Sequence, residues 1–352
     1  MFYSRFAKGK APAGLKSLDL SGIADMIKTG KVKNIAFLTG AGVSVAAGIP
    51  DFRSAGGMYD TLRPDLLTAT ERQRMMMKMD PTAVVSWEVF KDNAFPYLEL
   101  RRPFILGTAE RKWKPTLAHW FIKVCDDKKL LRRLYTQNID GLDYPLGIDD
   151  EKIVPVHGTM GKASCEFCGA GYPIDKFREE VEAKIKDIYK TDRKAPKEST
   201  NIPCLECKKP GVKPSTVLYG SSLPESFSSC LEEDFPENVD LIIVMGTSLT
   251  VSPANTVPFH AEDSCLRLVV NREPVGQDLG IRYGSNAVRD VFGAGDCDDV
   301  ILKLAGELGW LSELTKYKSQ MAKKSQIVLA KALKVEKEGS EAKGSRMSED
   351  EV

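Results

Sequence analysis

Several short motifs contain residue types that could bind a nucleotide and move a proton. The glycines Gly40 and Gly42 follow an apolar run at 35–38, and glycine lets a backbone approach a phosphate without a Cβ in the way. A polar run at 136–140 follows a second apolar stretch, and a His-Gly pair opens at His157. Histidine titrates near neutral pH and can act as a general base. Together these residues predict an enzyme that binds a dinucleotide and performs acid–base chemistry on it.

Two Cys-x-x-Cys pairs follow, with Cys165 and Cys168 in the first and Cys204 and Cys207 in the second. Four thiolates converging from two such knuckles predict one tetrahedral Zn²⁺ with no open position, which makes the metal structural. A redox pair is the alternative, although neither pair lies in a thioredoxin-like context. Because apolar residues recur at helical spacing after the first pair, we predict a helical insertion over 174–200.

The glycine pair alone is a weak signal. The dehydrogenase fingerprint Gly-x-Gly-x-x-Gly fails because Val45 occupies its third glycine position, and a structural strand-to-helix turn remains the alternative. The continuation to Asp51, Phe52 and Arg53 favours nucleotide binding, since a guanidinium offers phosphates a charge and a rigid donor fork.

The elements that must position these motifs read as strands alternating with helices. Apolar strands are predicted at 35–38, 134–135, 217–219, 240–245 and 267–270. Strands that lack alternation predict a parallel sheet covered on both faces. Ligands of such sheets bind at the carboxyl ends of the strands, where the polar motifs lie.

Length and composition further limit the kinds of protein that this sequence could encode. A chain of 352 residues favours one large and one smaller domain. The net charge of +1 gives no sign of a nucleic-acid partner, and the longest apolar stretch, at 241–246, is too short to span a membrane. Eight cysteines with paired spacing favour a reducing compartment, cytoplasmic or nuclear or both. The basic, acid-poor leader at 1–17 leaves a mitochondrial location as the alternative.

In order along the chain, these motifs resemble those of the sirtuins, which are NAD-dependent protein deacylases. The resemblance spans about residues 20–315 and rests on the runs at 40–44, 48–53, 136–140, 157–158, 246–248, 271–273 and 295–297. In that family the acyl oxygen of a modified lysine attacks the ribose carbon that bears nicotinamide, and the acyl group ends on ADP-ribose. The resemblance therefore implies an acyl-lysine protein or peptide as substrate and NAD as co-substrate.

The resemblance also assigns roles. His157 would be the general base, with Asn138 and Asp140 positioning ribose and nicotinamide; structural roles for all three, such as loop capping by the Asx side chains, are the alternatives. Glu273 would form a hydrogen bond with a ribose hydroxyl. The alternative is that it is simply a charged side chain exposed to solvent. The full cofactor-binding set would be Gly40, Ala41, Gly42, Ser44, Asp51, Phe52, Arg53, Tyr59, Gln137, Asn138, Ile139, Asp140, Gly246, Thr247, Ser248, Asn271, Arg272, Glu273 and Cys297.

Val217, Leu218, Tyr219 and Gly220 occupy the place of the family's strand that pairs with the substrate backbone. Ser221 stands where the family commonly has a glutamate, which should weaken any preference for basic side chains near the acyl-lysine. No Tyr–Arg pair is clearly placed to bind an acidic acyl chain, so we expect acetyl or a longer apolar acyl group.

The expected fold is α/β, with a large Rossmann-like parallel-sheet domain into which a smaller zinc-binding and helical domain is inserted. We assign 1–17 to a flexible leader, 18–56, 116–160 and 214–315 to the Rossmann-like domain, 57–115 to a helical module, 161–213 to the zinc module and 316–352 to a disordered or frayed-helix tail. Two other functions remain open, a mono-ADP-ribosyltransferase on the same site and a non-catalytic sensor of NAD or ADP-ribose.

Overall fold

A computed structural model of the chain describes residues 12–49, 59–109 and 112–349. Among these residues, no helix is both long enough and apolar enough to cross a membrane.

Six parallel strands form the larger sheet. They are β1 (Ile35–Thr39), β2 (Leu131–Thr136), β3 (Ile153–Pro155), β7 (Leu241–Met245), β8 (Leu266–Asn271) and β9 (Asp290–Ala294), in the order β3-β2-β1-β7-β8-β9. Strand order runs from β1 outward in one direction to β3 and in the other to β9, so the reversal point lies beside β1. In open parallel sheets, such a reversal opens a crevice outside the carboxyl ends of the strands.

Helices cover both faces of this sheet. One face packs on α1 (Leu20–Lys28), α5 (Leu117–Asp127) and α8 (Cys297–Leu308), and the other on α7 (Glu225–Asp234) and a 3₁₀-helix at Ala254–Phe259. The central strands β1 and β7 are buried at every position. This two-sided burial explains their continuous apolar sequences and confirms the predicted α/β class with a parallel sheet.

A smaller, antiparallel sheet has the order β5-β4-β6, built from β4 (Gly158–Cys165), β5 (Gly171–Tyr172) and β6 (Val212–Thr216). It shares a separate apolar core with α2 (Glu71–Met79), α3 (Trp87–Asp92), α4 (Phe95–Ala109) and α6 (Ile174–Lys184). The chain leaves the large sheet after β1 and again after β3 to build this second core. The residue limits that we assigned to the domains stay a prediction.

The insertion between the cysteine pairs is less helical than predicted. Helix α6 ends at Lys184, where Ile185 takes an extended conformation. Ile185 and Ile188 are nevertheless buried in the smaller core, so their helical spacing reflects burial of a loop. Backbone and side-chain hydrogen bonds, such as that from Thr200 N to Lys184 O (2.9 Å), fold this loop back onto the helix.

The strand predicted at 217–219 is found earlier in the chain, because β6 spans Val212–Thr216 and ends directly before residue 217. Residues 217 and 218 follow outside any strand, Tyr219 makes an isolated bridge to Ser86, and Gly220 turns with φ +89°. We call 217–220, the residues that the resemblance to the sirtuins assigns to pairing with the substrate, the substrate segment below.

The carboxyl-terminal part of the chain, for which we predicted a disordered or frayed-helix tail, contains helices among its described residues. After α9 (Leu311–Thr315) comes α10 (Lys323–Glu349), whose first turns pack on the larger domain. Met321 and Leu329 are fully buried, and Ser325 donates to the Asp298 carboxylate on α8 at 2.5 Å. Because this region is rich in Lys and Glu, its sequence did not indicate these apolar contacts.

Candidate active-site cleft

A cleft of about 920 Å³ opens at the carboxyl ends of β1, β2 and β7. Fourteen of the predicted site residues line it, namely Gly40, Ala41, Tyr59, Gln137, Asn138, Ile139, His157, Val217, Leu218, Tyr219, Gly220, Gly246, Thr247 and Ser248. The crevice therefore brings together motifs from Gly40 to Ser248, because nearly all of them follow a strand of the larger sheet or the adjoining β6.

The glycines of the first loop allow two backbones to touch. A Cβ on Gly42 would lie 2.5 Å from the Gly246 Cα, and one on Gly40 would lie 2.7 Å from the Gly246 carbonyl oxygen. Hydrogen bonds from Gly42 N to Gly246 O (2.8 Å) and from Gly40 N to Met245 O (2.9 Å) join the loops. A seven-residue 3₁₀-helix, Ala41–Ala47, follows directly after Gly40.

Asn138 is held by a buried polar network behind the cleft wall. Its amide Nδ2 donates to the Gly40 carbonyl at 3.0 Å and lies 3.3 Å from Ser44 Oγ. Ser44 Oγ in turn donates to Asp140 Oδ2 at 2.7 Å, and Leu142 N donates to Asp140 Oδ1 at 3.0 Å. Asp140 and Ser44 thus orient Asn138 and the glycine loop from behind, while Asn138 itself reaches the cleft.

Burial controls the protonation of the carboxyl groups in this network. It raises the pKa of Asp140, and it raises the pKa of Asp143 to about 7, with the neighbouring Asp140 charge adding to the rise. Asp143 Oδ1 lies 3.9 Å from Nε2 of His119, whose pKa burial lowers to about 3. Thr116 N donates to His119 Nδ1 at 3.2 Å, so Nε2 carries the proton of this neutral ring.

His157 is oriented by a backbone carbonyl. Its Nδ1 lies 2.9 Å from the Gln137 carbonyl oxygen, which can only accept, so Nδ1 carries the proton. In the neutral ring the lone pair is then on Nε2. The ring is half-buried and lines the cleft, and this tautomer is the one that a general base on the cleft side requires.

The substrate segment has one edge bonded to the protein and one edge on the cleft. Val217 N donates to His157 O at 2.8 Å, Tyr219 N to Val85 O at 3.0 Å, and Trp87 N to Tyr219 O at 2.9 Å. Alternate residues of an extended chain point their backbone groups in opposite directions. The N–H group of Leu218 therefore faces the other way. Within the described residues, neither it nor the N–H of Gly220, which lies in a turn with φ +89°, has a backbone acceptor.

The four paired cysteines form one cluster in which all Sγ atoms lie within 4.8 Å of one another. Sγ of Cys165 is 3.6 Å from that of Cys207, and Sγ of Cys168 is 3.7 Å from that of Cys204. Tetrahedral Zn²⁺ with bonds of about 2.3 Å needs sulfur atoms about 3.8 Å apart. The donors fit one zinc ion, and four thiolates leave it no open position.

Comparison with known proteins agrees with this arrangement. The family model described as "Sir2 family" matches residues 40–253. This chain belongs to the Sir2 family. The NAD-dependent protein deacetylase sirtuin-2 of Danio rerio is 35% identical over 353 residues, covering 96% of this chain and 84% of that protein. The NAD-dependent protein deacetylase hst2 of Schizosaccharomyces pombe is 36% identical over 301 residues, covering 85% and 79%. Membership confirms the resemblance of the motifs.

Not every predicted residue reaches the cleft. Ser44, Asp140 and Gly42 lie behind its wall, as described above. Asn271 is the last residue of β8, and Arg272 and Glu273 follow it. Arg272 pairs with Asp296 at 2.5 Å, and Glu273 is exposed. Cys297 is buried at the first position of α8. Asp51, Phe52 and Arg53 lie outside the described residues.

The cleft wall also contains residues that the sequence analysis missed. Tyr97 and Arg101, one turn apart on α4, line it, and Tyr97 OH lies 2.7 Å from Thr216 Oγ1. The sequence analysis had not singled out this Tyr–Arg pair, and its expectation of an acetyl or longer apolar acyl group stays a prediction. Asp143 and His119 form the buried pair beneath Asp140. In the sequence, these residues could have been found only as charged or polar residues at positions where a helix is expected to be apolar. Many helices contain such residues for unrelated reasons.

Proposed function

We propose that this chain is an NAD-dependent protein deacetylase that transfers the acyl group of a modified lysine to ADP-ribose. One observation carries the proposal. The cleft-facing edge of the substrate segment, the lone pair of His157 and the amide of Asn138 meet in one crevice at the strand-order reversal. When bound, NAD would supply an activated ribose carbon, and the bond between that carbon and nicotinamide would be broken in the reaction.

In this proposal, His157 Nε2 accepts a proton from a ribose hydroxyl, and the Gln137 carbonyl keeps the ring in the tautomer that can do so. Asn138 orients the ribose through its amide, while Ser44 and Asp140 hold that amide in place. The touching loops around Gly40 and Gly246 form the wall against which the pyrophosphate would lie. The remaining cofactor contacts are proposed at 271–273 and Cys297, beside the same sheet edge, and at 51–53.

The substrate peptide would add to the substrate segment as an extended strand. The N–H groups of Leu218 and Gly220 would donate to its backbone, which recognises a peptide largely without regard to sequence. The acyl-lysine would enter the cleft between Val85 and Ile139, both of which line it. These apolar walls support an acetyl or longer apolar acyl group. Arg101 in the same wall makes a carboxylated acyl chain the informative comparison.

The cysteine cluster would hold one structural zinc ion, supporting the smaller sheet without touching substrate. Eight free cysteines support a cytoplasmic or nuclear compartment. The mitochondrial alternative rested on the leader, most of which lies outside the described residues.

The test is to incubate the protein with NAD and peptides that differ only in the acyl group of one lysine. A deacetylase releases nicotinamide only when the acyl-lysine is present, and forms free lysine in equal amount. Labelling of protein by ADP-ribose would favour the transferase, and binding of NAD without turnover would favour the sensor. Either outcome, with no free lysine formed, would contradict the proposal.

A further inference from the structure

Lys213, on β6, is a lysine buried inside the smaller domain. It is 1% exposed, and a buried ammonium is costly unless its donors are bonded. Its Nζ lies 2.8 Å from Glu166 Oε2, 3.2 Å from the Pro214 carbonyl oxygen and 2.5 Å from the Thr216 carbonyl oxygen. An ammonium has three donors, and here each has an acceptor.

The carboxylate partner of this lysine belongs to the cysteine cluster. Glu166 lies between Cys165 and Cys168, within the first knuckle. Its backbone N–H donates to the Gly211 carbonyl at 2.8 Å, and its second carboxylate oxygen accepts from Ser221 Oγ at 3.4 Å. One side chain of the knuckle therefore contacts both Lys213 and the residue after the substrate segment.

These contacts fix the substrate segment at both ends. Before it, Lys213 holds the carbonyl of Thr216, and Thr216 pairs with Gly158 across β4 and β6. After it, Ser221 is held by Glu166. Between them, Val217 N donates to the carbonyl of His157. Besides its backbone hydrogen bonds to His157, Val85 and Trp87, the segment is therefore positioned by the Glu166 carboxylate of the first knuckle.

We infer that Glu166 and Lys213 are a positioning pair that couples metal occupancy of the cysteine cluster to affinity for the acyl-lysine peptide. The inference rests on the proposed function, because it concerns the peptide site of that reaction. Removing the metal releases the two ligands that flank Glu166, so its carboxylate no longer holds Lys213 and Ser221 in register. NAD binding depends on the larger sheet and stays unchanged.

The test measures binding of a fluorescent acetyl-lysine peptide, KM for peptide and for NAD, and zinc content. Glu166→Gln keeps the shape of the side chain and removes its charge. We expect peptide affinity to fall on the order of three- to tenfold, because a charge-assisted hydrogen bond is weakened. KM for NAD and zinc content should remain those of the unmodified protein. Glu179→Gln, on an exposed position of α6 in the same module, is the matched control and should change none of these values.

A double-mutant cycle with Lys213→Met tests whether the two residues act through each other. We expect the combined loss of peptide affinity to be smaller than the sum of the single losses. If Lys213→Met does not fold, Glu166→Gln alone decides the matter. Unchanged peptide affinity in Glu166→Gln would overturn the inference, and so would a loss accompanied by loss of zinc.

Chelation provides the arm that tests the coupling itself. As zinc is removed in measured steps, peptide affinity of the unmodified protein should fall, and that of Glu166→Gln should fall less. Equal falls in both proteins would place the coupling elsewhere and contradict the inference. If the unmodified, zinc-loaded protein binds no acyl-lysine peptide at all, the proposed function fails. If the unmodified protein binds the peptide normally and Glu166→Gln does not change the peptide affinity, only the coupling is contradicted.

Discussion

The hydrogen bond between His157 and the Gln137 carbonyl decides which ring nitrogen can accept a proton. A carbonyl cannot donate, so the imidazole must carry its proton on Nδ1. The sequence supplied a histidine, and its role depends on a carbonyl twenty residues earlier in the chain.

His157→Ala should lower the rate of deacetylation by about two to four orders of magnitude, the usual contribution of a general base. NAD affinity should persist, because Asn138 and the glycine loops stay in place. The measurement is steady-state turnover together with NAD titration by calorimetry. His260→Ala, altering a histidine outside the cleft wall, is the control and should retain activity. Full activity in His157→Ala would remove this residue as the base.

Asp143 should make the stability of the protein depend on pH. Its pKa is about 7 in the folded chain against an ordinary 3.8, so between about pH 4 and 7 the folded state holds a proton that the unfolded state has lost. Its contribution to stability is complete below pH 4 and declines as pH rises, by up to about 1.4 kcal/mol per pH unit.

Asp143→Asn should remove this part of the pH dependence, measured by urea unfolding at several pH values. Asp150→Asn, at an exposed position nearby, should leave the profile as it is. Identical slopes in Asp143→Asn and the unmodified protein would show that this carboxyl titrates normally.

At the scale of elements, the contact between the start of β4 and the end of β6 joins His157, the proposed general base, to the substrate segment. Gly158 has φ +75°, and a Cβ there would lie 2.0 Å from the Ser215 carbonyl oxygen. Glycine is therefore required for two strands to approach each other immediately after His157, a reason that the His-Gly motif alone does not reveal.

Gly158→Ala should destabilise the protein by about 2 kcal/mol or more, since the left-handed conformation and the clash both disfavour a Cβ. Thermal and urea unfolding measure the loss. Gly161→Ala, later on the same strand, is the matched control, because its nearest neighbour would be a side-chain oxygen at 3.4 Å and its φ is ordinary. Equal effects of the two substitutions would refute the steric argument.

Elements were predictable where one local rule governed them. Continuous apolar runs correctly placed β1, β7 and β8, because strands buried on both faces need no polar positions. The rule failed where the pattern of buried residues does not follow the periodicity of the secondary structure. Ile185 and Ile188 keep helical spacing in a loop, and α10 buries Ser325 and Leu329 within a charged sequence. In both cases, a tertiary surface supplied the stabilisation that local sequence did not display.

At the scale of the whole molecule, two apolar cores meet at the cleft, and the cysteine cluster supports the smaller one. Cys165 and Cys204 are buried in that core, and β4 and β6 emerge from it toward His157 and the substrate segment. The larger sheet has its own core and does not depend on the cluster.

Cys204→Ser should abolish binding of zinc and lower the midpoint of thermal unfolding by about 10 °C or more, since structural zinc binding is coupled to folding. Metal analysis and calorimetry check this, with an expected one zinc per chain before substitution. Cys230→Ser, at a half-buried cysteine outside the cluster, should retain both metal and stability. Unchanged zinc content in Cys204→Ser would rule out the four-thiolate site.

The sequence by itself determined the α/β class, the family and the cysteine set, because these depend on residue types and spacing that remain readable along the chain. Only the tertiary structure decided that Asn138 is held through Ser44 by Asp140, that Tyr97 and Arg101 enter the cleft wall, and that Glu166 reaches Lys213. Such contacts join distant segments, as between Tyr97 and Thr216. Their distances and burial depend on how the two cores pack, which no local pattern specifies.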